Sequence, residues 1–215
     1  MLMQTERSTP RRRPDRASGD RALVDAILDE ALVAHVAFAV EGLPTVIPAT
    51  HWRVGDRLCF HFATASRAGG VMAAGADVCV SVAVVDGLVL ARSAMRHSVN
   101  YRSVVLFGRA EVVTDSGEKA RLLAHLLDKI SPGRWGDVRP PEPAELAATV
   151  VVTLPITEGG AKMRSGPPAD RGDDLARPVW AGVVPLAVVA GPALADPHVP
   201  DGMPPPPTVG AHRTD

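Results

Sequence analysis

The chain has 215 residues, 46% hydrophobic and 22% charged, with 23 Lys and Arg against 24 Asp and Glu. That near-neutral balance excludes the basic footprint of a nucleic-acid binder or of a protein drawn to an anionic membrane, and the apolar content suffices for one packed domain. No apolar run reaches the roughly 20 residues of a transmembrane helix, and Arg11-Arg12-Arg13 is followed by no apolar signal segment, so a cytoplasmic protein is expected. Cys59 and Cys79 both fall inside apolar strand patterns and read as buried thiols of a reducing compartment. No Cys/His spacing of the metal-binding kind occurs.

Residues 1–17 are polar, arginine-rich and punctuated by proline, which predicts a mobile arm. A helix follows, capped by Ser18 or Asp20, with Leu23, Ile27, Leu28 and Leu32 as its apolar stripe. Residues 35–40 and 45–54 read as strands around a Gly42-Leu43-Pro44 turn. Pro48 marks an edge, a bulge or a ligand in the second, because proline cannot donate to a ladder. After Gly55-Asp56, residues 57–62 form a third strand and residues 66–74 a short helix. Residues 77–85 and 88–94 read as two strands joined by an Asp86-Gly87 hairpin turn. A long strand over 100–113 carries a bulge at Gly108.

Residues 116–130 give the clearest helix, capped by Ser116, burying Leu122, Leu123, Leu126 and Leu127, and stopped by Ser131-Pro132-Gly133. A short helix near 143–148 precedes an apolar strand over 149–156. Gly159-Gly160 then turns into a strand over 161–165, and the last strand covers 180–189. The expected organisation is an arm over 1–17, one domain over 18–190 and a proline-rich disordered tail over 191–215. The domain is mainly β, an antiparallel meander with peripheral helices, which suits a small barrel. It has neither a GxGxxG nor a P-loop.

One compact region carries most of the chemistry. Strands rich in β-branched residues end in Thr64-Ala65-Ser66-Arg67, where a helix opens. Serine and arginine at a helix start make a phosphate cradle, and Ser66 reads equally as a helix cap. His51 and His61 read as evenly balanced between satisfied barrel histidines and cofactor contacts.

Four segments resemble the pyridoxamine 5′-phosphate oxidase-like family of flavin-binding split barrels. They are Thr45-Val46-Ile47-Pro48-Ala49-Thr50-His51, Phe60-His61-Phe62 with Ser66-Arg67, Tyr101-Arg102-Ser103-Val104 with Gly108, and Trp180-Ala181-Gly182 with Pro185. Within the family, NYRSVVLFG and VWAGVVPL look similar to an uncharacterised flavin-nucleotide-binding branch related to nitroimidazole reductase-like proteins.

The resemblance implies an FMN-binding split β-barrel that works as a homodimer, with the cofactor at the subunit interface. It implies cofactor contacts from Pro48, Ala49, Thr50, His51, His61, Ser66, Arg67 and Ser103, and from Trp180 of the second subunit. It implies an oxidoreductase for a small organic molecule, with no catalytic acid or base named. The family's clamp lysine is Ala68 here and the arginine-rich C-terminal ending is missing, so the true oxidase activity is not expected. Alternatives are a deazaflavin coenzyme or haem on the same barrel, or a flavin-binding protein without a reaction of its own.

Overall fold

In the computed structural model, which describes residues 1–207, ten strands form one sheet that curls into a split barrel. In chain order the elements are β1 (Ala17–Ser18), α1 (Arg21–Glu30), β2 (Val33–Val40), β3 (Leu43–Val54), β4 (Arg57–Ala63), α2 (Arg67–Ala73), β5 (Asp77–Leu90), β6 (Ser98–Arg109), β7 (Glu111–Val113), α3 (Ser116–Ile130), α4 (Pro143–Ala147), β8 (Thr149–Pro155), β9 (Glu158–Arg164) and β10 (Gly182–Pro185). Neighbours run β1-β9-β6-β5-β2-β3-β4-β8-β7, all antiparallel, and β10 joins the far end of β5.

Alternation sets the inside of the barrel. Ala34, Val36 and Phe38 of β2, Leu58 and Phe60 of β4, Val80 and Val82 of β5, and Val152 and Leu154 of β8 all point inward. α1 adds Val24, Ile27 and Leu28 to the same core, and Asp20 caps it by accepting from the Ala22 N–H at 3.1 Å. A second apolar cluster lies outside the barrel, where Leu122 and Leu126 of α3 cover Trp52, Cys59 and Val151. Glu41 and Gly42 both have positive φ (51° and 80°), the signature of a two-residue type I′ hairpin between β2 and β3.

Several expected features take another form. Asp86-Gly87 is not a hairpin turn: β5 runs through it, with a register shift between Val85 and Gly87. The Asp86 carboxylate is held by Arg102, and the β10 backbone comes so close to Gly87 that a Cβ there would stand 3.0 Å from the Val184 carbonyl. Gly108 is not a bulge but pairs regularly with Val78; its missing side chain makes room for Leu154. The long strand breaks at Ala110 instead, whose N–H turns to the Ala76 carbonyl at 2.8 Å. α3 is capped by Asp115 rather than Ser116, Gly159-Gly160 lies within β9, and the last strand shortens to Gly182–Pro185.

The N-terminal arm is held rather than free. Leu2 is buried, Met3 bridges to Glu158, and Arg7 grips the Glu158 carboxylate through Nε (2.8 Å) and Nη2 (2.6 Å). That arginine and the Thr5 hydroxyl pull the Glu158 pKa down to about 2. Residues 191–207 form no helix or strand, and the part of the expected tail over 208–215 lies outside the described residues. Both cysteines are free thiols, Cys59 buried and Cys79 half-buried, and burial pushes the Cys59 thiol up to about 12. Among the described residues no helix is long and apolar enough to cross a membrane.

Candidate functional site

β3 changes partner in its middle. Leu43 to Thr50 pair with β2, whereas His51 to Val54 pair with β4. Beyond the His51–Phe60 pair the two strands part: β3 stays with β2, and His61 to Ala63 continue against β8. The barrel therefore splits just before His51, and along Pro48–Thr50 the edge of β3 that faces away from β2 has no β4 ladder. Backbone groups left without a strand partner at a sheet opening are ready to bind a planar polar ligand.

The expected residues divide into those that reach this opening and those that do not. Pro48 is exposed and Thr50 half-buried on the outer face of β3. His61 is exposed on the outer face of β4, 6.0 Å from the Trp52 ring, and the desolvation there lowers its pKa. Ala49 faces the other way and packs on the core.

His51 also turns inward, with no exposed surface, and its Nε2 lies 3.0 Å from the Leu28 carbonyl near the end of α1. A helix carbonyl left without an intrahelical donor takes that proton, so the ring is structural and only its backbone lies at the split. Lys129 of α3 donates to the same carbonyl at 2.9 Å. Burial beside that lysine lowers the His51 pKa to about 4.

Ser66 and Arg67 follow β4 directly. The Ser66 hydroxyl donates to the Ala63 carbonyl (2.7 Å) and accepts from the Gly69 N–H (2.9 Å), so its one proton is already committed. Its capping role is the one the structure displays, and α2 has only seven residues. Arg67 is exposed and makes no hydrogen bond or ion pair among the described residues. Elsewhere in the chain, arginines such as Arg53, Arg102 and Arg139 are locked by carboxylates. An unpaired guanidinium beside the split is available to a phosphate.

Ser103 lies on the outer face of β6, where its hydroxyl donates to the Lys162 carbonyl at 3.0 Å. It pairs with Ala83, as Thr50 pairs with Val33, and the four residues follow one row across β6, β5, β2 and β3. Three strand spacings separate its ends, roughly 14 Å. Trp180 is 64% exposed before β10, its ring folded over Gly182, and nothing within the chain brings it to the split. Among the described residues no cluster of His, Cys, Asp and Glu could hold a metal ion.

A residue outside the expected set shares this face. His35 stands opposite Pro48 on β3 and Ser81 on β5. Strand alternation places it outward, but a lone histidine in an apolar run carries no motif that marks it.

The family model described as pyridoxamine 5′-phosphate oxidase matches residues 20–163. The chain belongs to the pyridoxamine 5′-phosphate oxidase family. Among solved structures, the flavocytochrome Anf3 from Azotobacter vinelandii is 39% identical, with a TM-score of 0.91 and 97% of each chain covered. The FAD and haem binding protein from Mycobacterium smegmatis is also 39% identical, with a TM-score of 0.87, over 92% of this chain and 97% of that one. A candidate 5-nitroimidazole antibiotic resistance protein from Bacteroides thetaiotaomicron shares the fold at 19% identity and a TM-score of 0.57, over 68% of this chain and 85% of its own. No curated protein matches the chain. In this pyridoxamine 5′-phosphate oxidase family member, the split, the outer face and Arg67 are the features that remain open to a ligand.

Proposed function

We propose that the chain is a flavin-binding redox protein that also carries haem and works as a homodimer. The observation that carries this reading is 39% identity, over nearly all of both chains, to a flavocytochrome and to a protein named for FAD and haem. When bound, the flavin supplies two-electron hydride chemistry and the haem one-electron chemistry. The protein's part is to bind, orient and shield. The β3 backbone at Pro48–His51 holds the flavin ring at the split, His61 lines it, and Arg67 pairs with phosphate.

FAD suits these residues better than the FMN expected from the family resemblance. A terminal phosphate monoester carries nearly two charges, whereas the phosphates of a dinucleotide carry one each. Here the serine's proton is committed, the clamp lysine is Ala68, and Arg67 stands alone. A small-molecule substrate would meet the exposed ring face at the split.

The homodimer reading rests on the outer face itself. Val33, Val46 and Val85 are 47%, 58% and 46% exposed on adjoining strands β2, β3 and β5. Exposed valines spread along one sheet face suit docking, and a second copy offers a self-complementary match. Val46→Lys is expected to convert the dimer to monomer in light scattering after gel filtration, with release of flavin. A dimer that survives the substitution would place the interface elsewhere.

The deciding experiment is an absorption spectrum of the purified protein, with the released chromophores weighed by mass spectrometry. Flavin and haem bands are expected together, the flavin as FAD. Arg67→Ala is expected to weaken flavin binding by ~10-fold or more, the equivalent of one charge-assisted hydrogen-bonded pair, and to leave the melting temperature of the flavin-free protein unchanged. A protein that takes up neither FAD nor haem would sink the proposal.

A further inference from the structure

We propose that the junction between the N-terminal arm and β9 binds a small anion of the phosphate or diphosphate class, held by Arg13, Arg16, Lys162 and Arg164. The site shares no residue with the split, with Arg67 or with the exposed valines of β2, β3 and β5.

The fold brings these cations together from distant parts of the chain. β1 pairs with β9 as Ala17 with Lys162 and Ser18 with Ala161, which lays the preceding turn, Pro14–Arg16, against β9. Lys162 and Arg164 stand two residues apart on β9 and so share a face. Lys162 Nζ donates to the Arg12 carbonyl at 2.9 Å, fastening the arm beside it. Arg164 is half-buried and bonds only neutral acceptors: the Asn100 side-chain oxygen, the Gly166 carbonyl (3.2 Å) and the Pro167 carbonyl (3.0 Å). Two of its five N–H donors remain uncommitted. Burial lowers the Arg164 pKa, and the neighbouring positive charges of Arg16 and Arg13 lower it further.

This positive charge has no internal counterpart. The carboxylates of the arm are taken by others, Glu6 by Arg11 and Asp15 by Arg13 at 3.4 Å, while Glu158 holds Arg7. Arg12, Arg16, Lys162 and Arg164 pair with no carboxylate among the described residues. The whole chain carries a net charge of -1, so the excess is local and made by folding. Like charges gathered in this way oppose the fold unless an anion answers them. Arg13 is also held at φ 56°, a left-handed conformation that is costly for a non-glycine residue and that collects at ligand sites.

A small cavity adjoins the cations. It encloses about 220 Å³ beneath the arm, with Ser18 and Lys162 in its lining, less than the roughly 300–1,000 Å³ of sites that take a drug-sized molecule. The Ser18 hydroxyl accepts from the Asp20 N–H at 3.1 Å and keeps its own proton to donate. Lys162 keeps two of its three ammonium donors. A compact, multiply charged oxyanion matches this size and this surplus of charged donors.

The test is a titration of the full chain with sodium pyrophosphate, with adenosine 5′-diphosphate and with sodium chloride at matched ionic strength, read by calorimetry and by melting temperature. Pyrophosphate is expected to bind saturably and to raise the melting temperature, and chloride to do neither. Arg16→Gln and Lys162→Gln are each expected to weaken pyrophosphate binding by ~10-fold or more, the loss of one charge-assisted partner. Arg96→Gln removes an arginine that also lacks an ion pair but lies in the turn before β6, and should bind as wild type does. Without added anion, Arg16→Gln should melt no lower than wild type, because the Arg16 guanidinium bonds to nothing among the described residues and repels Arg164. Affinity for adenosine 5′-diphosphate equal to or below that for pyrophosphate would assign the site to the free anion, and higher affinity to the phosphate end of a nucleotide. Pyrophosphate binding unchanged in both Arg16→Gln and Lys162→Gln would overturn the site. So would a melting temperature that follows ionic strength alone.

Discussion

Gly159→Ala is expected to be the most damaging single-methyl change in the barrel, at ~3–5 kcal/mol. Gly159 has φ +140°, a conformation that side chains avoid, and a Cβ there would stand 2.1 Å from the Val105 carbonyl and 2.9 Å from the Leu106 Cα. Both obstacles are backbone, so no rotamer change relieves them. The only escape is to move β9 away from β6, which breaks the Leu106–Gly159 and Val105–Gly160 pairs. Those pairs also hold the edge to which the N-terminal arm docks through Met3 and Glu158. Gly136→Ala is the control: nothing lies within 4 Å of that position and its φ is not positive. Urea midpoints of the two variants should separate widely, with the control within about 0.5 kcal/mol of the parent. A loss below about 1 kcal/mol at Gly159 would mean that β9 yields freely, and the close approach would cease to explain the glycine.

The alternation of β2, β4 and β8 was legible because each strand buries one face in the barrel, and period-two patterning reports that directly. The family followed from four short segments. What stayed hidden are features set by distant partners. Asp86-Gly87 matches a hairpin turn in every local respect, yet Arg102 and the β10 backbone make it a bulge within one strand. The switch of β3 between β2 and β4 leaves no trace in composition, because Thr50 and His51 fit either ladder.

The site residues divide for the same reason. Histidines ten positions apart in similar strands meet opposite fates. His51 lies under α1 and α3, and His61 lies outside beside Trp52. Ser66 was read as both cap and phosphate donor, and its committed proton separates the two roles. The docking of residues 1–17 depends on long-range contacts that polar composition conceals, among them Arg7 with Glu158, Gln4 with the Gly159 carbonyl and the Met3 backbone with Thr157. Haem stood among the alternatives by fold analogy alone.

His51 makes the fold acid-sensitive below pH 6.5, with His61 adding the same sign of effect. The neutral ring donates Nε2–H to the Leu28 carbonyl, and Nδ1 is buried with no partner. Charging that ring would put a cation in an apolar site, with Lys129 Nζ 3.4 Å away. The folded pKa is accordingly about 4 against an ordinary 6.5. Because the folded pKa is depressed, the unfolded chain binds the extra proton first as pH falls. Stability from this group is complete above 6.5 and falls progressively as pH drops toward 4, by up to about 3 kcal/mol. Lys129, held near 8 by burial, follows the same sign at higher pH: stability rises between about 8 and 10.5 as the unfolded amine loses its proton. The paired carboxylates act elsewhere, since Glu158 and Glu118 titrate between 4.5 and about 2. Denaturant titrations of wild type and His51→Phe at pH 7.5, 6, 5 and 4.5 isolate the effect. The variant keeps an aromatic ring beside Phe60 and leaves Lys129 to satisfy Leu28. Its stability should decline less steeply across that range than the wild type's, the remaining slope coming from His61, whose pKa desolvation also lowers. Equal slopes in the two proteins would show that His51 carries its proton in the folded state and would refute its neutral, helix-capping role.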